Sequence, residues 1–157
     1  MLVLVGACGA GKSSTANTLL GERRFHSRRS IAAATCRCQS ATVPCDGRDV
    51  TLLDTPGLGD PDVPHEALIV EIVRGVAEAN ACHGGAAAVA LLLVISAAGR
   101  LDVNDLEALS SLGMAFGPHM LKRAIAIFTH GDLLDGGATR ARAQQRYARA
   151  RARVNDG

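Results

Sequence analysis

The sequence predicts an α/β fold, a three-layer arrangement around a mostly parallel sheet with one antiparallel strand. Three observations carry that prediction. Short apolar runs alternate along the chain with segments of helical period. Asp46-Gly47 is a two-residue hairpin signal between two strand-like runs, so one strand pair is antiparallel. The loops richest in Gly, Asp and Thr follow strand-like runs, as they do in doubly wound sheets.

Each element follows in order. Leu2–Val5 is a fully apolar run stopped by Gly6, and Lys12–Leu20 reads as a helix ended by Gly21. Residues 22–35 are polar and rich in Arg and Ser, and read as a mobile, solvated loop. Cys36–Cys45 and Val50–Leu53 are the two arms of the Asp46-Gly47 hairpin. Glu66–Cys82 places apolar residues at 68, 69, 72, 73 and 76, the spacing of one helix face, and Gly84-Gly85 closes it. Ala86–Ile95 is a continuous apolar run, as expected of a parallel strand covered on both faces. Asp102 can cap a helix over Val103–Phe116, which Gly117-Pro118 ends. Ala124–Phe128 is the last apolar run, and Ala138–Val154 reads as an Arg-rich helix.

Composition bounds the class. The chain has 157 residues, 48% hydrophobic and 20% charged, which fits one domain over 1–157. With three Phe, one Tyr and no Trp, its core must be aliphatic. The net charge is +2, but residues 138–157 carry six Arg against one acid, so the basic excess belongs to the tail. A nucleic-acid partner is therefore not expected, and the tail's basic stripe reads as a solvated face before it reads as a membrane-docking one. The run Ala86–Ile95 is too short to span a bilayer. The N-terminus lacks the basic segment of a signal peptide. Five cysteines at irregular spacing suggest reduced thiols and a cytoplasmic setting. Cys36, Cys38 and Cys45 read as buried or edge thiols, with 36 and 38 on a strand. His65, His83 and His119 read as solvated.

The loop after the first strand carries chemistry. Gly6-Ala7-Cys8-Gly9-Ala10-Gly11-Lys12-Ser13 satisfies G-x-x-x-x-G-K-[ST], with Ser14 next along the helix. Such a loop curls so that backbone N–H groups face a phosphate chain, and the following helix adds its positive end. Lys12 is placed to reach the β- and γ-phosphates and Ser13 to ligate Mg²⁺. The strand–loop–helix context makes this a P-loop NTPase signature.

Further segments hold the metal, sense the γ-phosphate and read the base. Asp54-Thr55-Pro56-Gly57 is a D-x-x-G at a strand end, with Asp54 placed to hold Mg²⁺ through water and the Gly57 N–H to meet a γ-phosphate. Thr35, before the Cys36 run, is the candidate hydroxyl to complete the Mg²⁺ shell and sense the γ-phosphate, whereas Thr51 sits in a strand and is badly placed for it. Thr129-His130-Gly131-Asp132 stands where a guanine-reading N-K-x-D would stand. An Asp there accepts from the guanine N1–H and exocyclic amine, a pattern adenine lacks. His130 is placed to pack on the purine face.

With these residues the sequence resembles the immunity-associated nucleotide-binding GTPases, the GIMAP family with its AIG-type G domain, related to septins and chloroplast import receptors. The resemblance runs from Leu2 to about Leu134. It rests on the phosphate loop, Asn17-Thr18-Leu19-Leu20-Gly21, Phe25-His26-Ser27, Thr35-Cys36, Asp54-Thr55-Pro56-Gly57-Leu58, Ala90–Val94 with Gly99-Arg100, Phe116-Gly117 and Phe128–Asp132. It implies a GTP- and GDP-binding G domain that self-associates when GTP-loaded, some members assembling on membranes through segments outside this domain. The family's usual Lys-Thr-Gly is Ala7-Cys8-Gly9 here, and Gly59 replaces a common Phe. Against a whole G domain, the last strand, the loop that contacts guanine O6 and the final helix are not readable in this sequence.

The expected activity is slow GTP hydrolysis. Ras-like enzymes orient the attacking water with a Gln just after D-x-x-G, and here that position is Leu58. Arg100, in the block the resemblance sets near a nucleotide-dependent dimer face, is the candidate arginine supplied across that face. Two alternatives stand beside this reading: an ATP-dependent P-loop enzyme, and a non-catalytic nucleotide-binding or scaffold fragment.

Overall fold

The computed structural model describes residues 1–26, 37–60, 63–85, 88–98, 103–117 and 124–133. In chain order these form β1 (Leu2–Val5), α1 (Lys12–Leu20), β2 (Gln39–Cys45), β3 (Arg48–Asp54), α2 (His65–Ala81), β4 (Ala90–Ser96), α3 (Val103–Phe116), β5 (Ile125–Thr129) and a 3₁₀ turn, Gly131–Leu133. The sheet order is β2-β3-β1-β4-β5, with β2 antiparallel to β3 and every other pair parallel. The three-layer, mostly parallel arrangement read from the sequence is the one observed. Residues 138–154, Thr35, Gly99, Arg100 and His119 lie outside the described residues.

The alternation of side chains across the sheet builds two cores. Val3, Val5, Leu53, Leu91, Leu93 and Ile95 face one side, where Ile72 of α2 and Leu112 of α3 cover them. Leu4, Leu52, Leu92 and Val94 face the other, packed with Ala16 of α1 and Phe25. The hairpin turns at Asp46 (φ 50°) and Gly47 (φ 74°), both left-handed, with Cys45 opposite Arg48. This is the turn form whose twist matches paired strands.

β5 begins one residue after its apolar run, whereas β2 and β4 begin well after theirs, and for one reason. A ladder stops where its partner strand stops. β2 starts at Gln39 because Gln39 already pairs with Asp54, the last residue of β3. β4 starts at Ala90, opposite Leu2, the first residue of β1. Cys38 is therefore not on a strand. Its N–H donates to Glu71 Oε1 of α2 at 2.8 Å, and a Cβ on Gly75 would come within 2.6 Å of the Cys38 Cβ. Burial, with Glu71 beside it, pushes the thiol up to about 12, so it stays protonated and unreactive at neutral pH.

The described histidines near α2 are partnered rather than solvated. His65 Nε2 shares a 2.9 Å hydrogen bond with Ser111 Oγ, joining the start of α2 to α3. His83 Nε2 lies 2.5 Å from Thr51 Oγ1, which lies 2.8 Å from Thr42 Oγ1. That chain satisfies the buried Thr51 hydroxyl on β3.

Candidate functional site

The site is built where β1 and β3 end. Gly6 follows β1 and passes so close to β4 that a Cβ there would sit 2.1 Å from the Val94 carbonyl oxygen, so only glycine fits. The loop then curls over residues 6–11, with Ala10 N–H donating to the Ala7 carbonyl at 3.1 Å. Gly11, left-handed at φ 93°, opens α1, which has no side-chain cap and no acid in its first turn. The positive end of the helix is thus not neutralised by its own sequence, as an anion site requires.

Lys12 is buried, and its Nζ donates to the carbonyls of Gly6 (3.0 Å) and Ala7 (2.9 Å). The ammonium is held at the loop's own rim. Ser13 Oγ donates to Asp54 Oδ2 at 2.6 Å, which joins the phosphate loop to the end of β3. Asp54 is only 1% exposed, and its other oxygen, Oδ1, has no hydrogen-bond partner. Burial raises its pKa, opposed by the Ser13 hydrogen bond and the Lys12 charge. A buried carboxylate oxygen left over beside a serine hydroxyl suits a hard cation with oxygen ligands or a water of its shell. Ser13 and Asp54 therefore offer a donor set that suits Mg²⁺.

Thr55, also 1% exposed, donates from Oγ1 to the Leu4 carbonyl at 2.6 Å and fixes the D-x-x-G segment against β1. Gly57 lies against the phosphate loop, where a Cβ would fall 2.6 Å from the Cys8 Cα. Leu58 then pairs with the loop on both sides. Its N–H donates to the Gly6 carbonyl and its carbonyl accepts from the Cys8 N–H, each at 3.0 Å. The Cys8 N–H is thus spent within the protein and not turned toward a phosphate, a departure from the inward-facing loop expected above.

The Thr129-His130-Gly131-Asp132 loop sits against the same cradle. Thr129 ends β5 opposite Ser96 and donates from Oγ1 to the Ala10 carbonyl at 2.6 Å. A Cβ on Gly11 would meet Thr129 Cγ2 at 3.4 Å and His130 Cε1 at 3.6 Å. His130 is left-handed (φ 55°), with Nδ1 3.1 Å from Thr129 Oγ1. With the threonine hydrogen given to Ala10, that nitrogen acts as the donor. Asp132 lies in the 3₁₀ turn that follows. The structure thus gathers Gly6 to Ser14, Asp54, Gly57, Thr129 and His130 at one end of the sheet. Thr35 and Arg100 lie outside the described residues. Thr55 and the two-sided pairing of Leu58 were not foreseen, because backbone and hydroxyl contacts across the chain leave no mark in spacing.

A mostly parallel sheet with a G-x-x-x-x-G-K-S loop after its central strand, and an Asp–Ser pair beside it, defines the P-loop class of fold. The chain belongs to the AIG1 family, whose sequence model matches residues 1–147. It is 39% identical over 135 residues to Immune-associated nucleotide-binding protein 7 of Arabidopsis thaliana, covering 85% of this chain and 42% of that protein. It is 34% identical over 137 residues to GTPase IMAP family member 8 of Rattus norvegicus, covering 85% of this chain and 18% of that protein. The chain thus spans less than half the length of these relatives. Among solved structures it resembles Toc33 from Arabidopsis thaliana in complex with Mg²⁺ and GMPPNP, with a TM-score of 0.74 and 20% identity over 99% of this chain and 62% of that one. A second match, from work stating that dimerization is important for the GTPase activity of the chloroplast translocon components atToc33 and psToc159, has a TM-score of 0.65 and 25% identity over 82% of this chain and 49% of that one. Among the described residues, no helix is long and apolar enough to cross a membrane.

Proposed function

We propose that this chain binds GTP and GDP with Mg²⁺, hydrolyses GTP slowly on its own, and self-associates when GTP-loaded. The observation that carries the reading is the 2.6 Å bond from Thr129 to the Ala10 carbonyl, which seats a T-H-x-D loop directly on a phosphate loop. A nucleotide whose phosphates lie in the loop then has its base beside residues 129–132. The backbone of Gly9 to Ser14 and the positive end of α1 bind the phosphates. Lys12, from its place at the loop rim, neutralises their charge. Ser13 and Asp54, with Thr35, would hold Mg²⁺, which supplies charge neutralisation on the β- and γ-oxygens. Asp132 selects guanine and His130 covers the purine face.

Slow hydrolysis follows from Leu58, which stands where a water-orienting residue would be and is 1% exposed in the apolar core. Self-association is supported by family membership and by the link between dimerization and GTPase activity in atToc33 and psToc159. Arg100 is the residue we assign to act across that interface.

The test is a titration with GTP, GDP and ATP in the presence of Mg²⁺, repeated at two protein concentrations. Tight guanine binding with ATP at least about tenfold weaker is expected, with GTP alone shifting the oligomer equilibrium. Equal affinity for ATP and GTP would overturn the base assignment. No thermal shift with any of the three would overturn nucleotide binding.

A further inference from the structure

Leu58 holds more of the site together than its apolar side chain suggests. Its N–H donates to the Gly6 carbonyl and its carbonyl accepts the Cys8 N–H, each at 3.0 Å, as a parallel bridge to Ala7. The parallel pairing of β1 and β3 runs from Leu2 opposite Leu52 to Leu4 opposite Asp54. The Ala7–Leu58 bridge resumes it beyond the strand ends, so the start of the phosphate loop is sheet rather than free loop. The side chain is 1% exposed and belongs to the core of Val3, Val5, Ile72 and Leu112. Just before it, Gly57 leaves so little room that an added Cβ would fall 2.6 Å from the Cys8 Cα. Just after it, Gly59 is left-handed at φ 73°, where a glycine turns freely.

The Gly6 carbonyl is the shared point. It accepts the Leu58 N–H and also the Lys12 ammonium, at 3.0 Å each. Where Leu58 sits therefore decides where that carbonyl points, and the carbonyl helps to aim the ammonium. So does the Ala7 carbonyl, and Ala7 is the residue bridged to Leu58.

We propose that Leu58 is a positioning residue for the phosphate loop. Anchored in the core, it staples Gly6, Ala7 and Cys8 to the end of the sheet, orients Lys12 through the Gly6 and Ala7 carbonyls, and sets the pivot of the D-x-x-G segment at Gly59. This rests on the nucleotide-binding reading above, but the staple itself is a property of the ligand-free chain. It follows that a glutamine at this position does not create a water-orienting group, because its side chain enters the core and not the reaction space.

The experiment has two arms. Amide hydrogen exchange on the ligand-free wild-type chain should show Cys8 and Leu58 protected to the level of Val5 in β1. Exchange at the rate of an exposed loop overturns the staple, whether or not the chain binds nucleotide. Nucleotide release is then compared for wild type, Leu58→Ala, Leu58→Gln and Leu58→Met. Leu58→Ala and Leu58→Gln should release GDP roughly tenfold faster, with GMP affinity changed less than about twofold, since Lys12 acts on the phosphates beyond the first. Leu58→Met, which refills the core, should restore retention of GDP. Equal weakening of GMP and GDP, or a gain in GTP hydrolysis in Leu58→Gln, overturns the positioning role. If Leu58→Ala does not fold, the Met and Gln pair and the exchange arm still decide. If wild type binds no GDP, the nucleotide reading fails while the exchange arm judges the staple alone.

Discussion

Asp54 is a carboxylate with one oxygen bonded to Ser13 and the other buried without a partner. In the ligand-free fold such a group favours its neutral form, and burial accordingly raises its pKa from 3.8. For an acid raised in this way, the contribution to stability is greatest at low pH and is lost as pH rises through the window between 3.8 and the folded value. Cation binding needs the anion, so Mg²⁺ affinity should fall as pH drops through the same folded value. Asp54→Asn separates the two effects. Without ligand it should melt above wild type at about pH 7, the difference shrinking toward about pH 4. It should also lose the Mg²⁺-dependent part of the stabilisation by GDP. Thermal melts across pH, with and without Mg²⁺ and GDP, measure both, and identical ligand-free melts at neutral pH would remove the burial cost assigned here. Ser13→Ala removes a proposed metal ligand and the bond that steadies Asp54, and should speed GDP release roughly 10- to 100-fold in Mg²⁺. In EDTA the mutant and wild type should converge.

At the scale of elements, the strand ends act as one device because a few hydroxyls and glycines join them. Thr129 reaches from the end of β5 to Ala10, and Thr55 from the end of β3 to Leu4. Thr129→Val keeps the shape and loses the bond. It should cost about 1 kcal/mol of stability and release nucleotide several-fold faster, with Thr129→Ser restoring both. Unchanged release in the Val variant would show that the two loops are held together without this contact. Gly57→Ala should cost about 1–3 kcal/mol or displace the D-x-x-G segment, since the added carbon would meet backbone at Cys8. Purified Gly57→Ala that binds GTP and GDP as wild type does would contradict that packing. The elements themselves were legible because their signals are local. The apolar runs, the Asp46-Gly47 turn and the helix period need no knowledge of the rest of the chain. Where a strand begins depends on the end of its neighbour, which is why β2 and β4 start later than their runs. Cys38, His65 and His83 were misplaced for the same reason, since Glu71, Ser111 and Thr51 are distant in sequence.

At the scale of the whole molecule, side chains around the phosphate loop among the described residues make contacts within the protein, and one carboxylate oxygen of Asp54 is left over. Asp54 accepts from Ser13, Thr55 donates to Leu4, His130 donates to Thr129, and Leu58 is in the core. Phosphate loop, D-x-x-G and base loop were legible as motifs because each is contiguous in the sequence. The engagement of their side chains was not, because it depends on which strand ends the sheet order places together. On our reading, then, faster hydrolysis must come from a second molecule, and the rate per molecule should rise with protein concentration. An arginine supplied across an interface is worth ~10³–10⁵ in rate when fully effective. Arg100→Ala should therefore leave dilute-solution hydrolysis unchanged and flatten its rise with concentration. Single-turnover hydrolysis, followed over a hundredfold range of about 1 to 100 μM protein, reads this directly. A rate per molecule that stays constant over that range in the wild type would sink the dimer-assisted mechanism. A concentration-dependent rate that survives in Arg100→Ala would keep the dimer and reject Arg100 as the group it supplies.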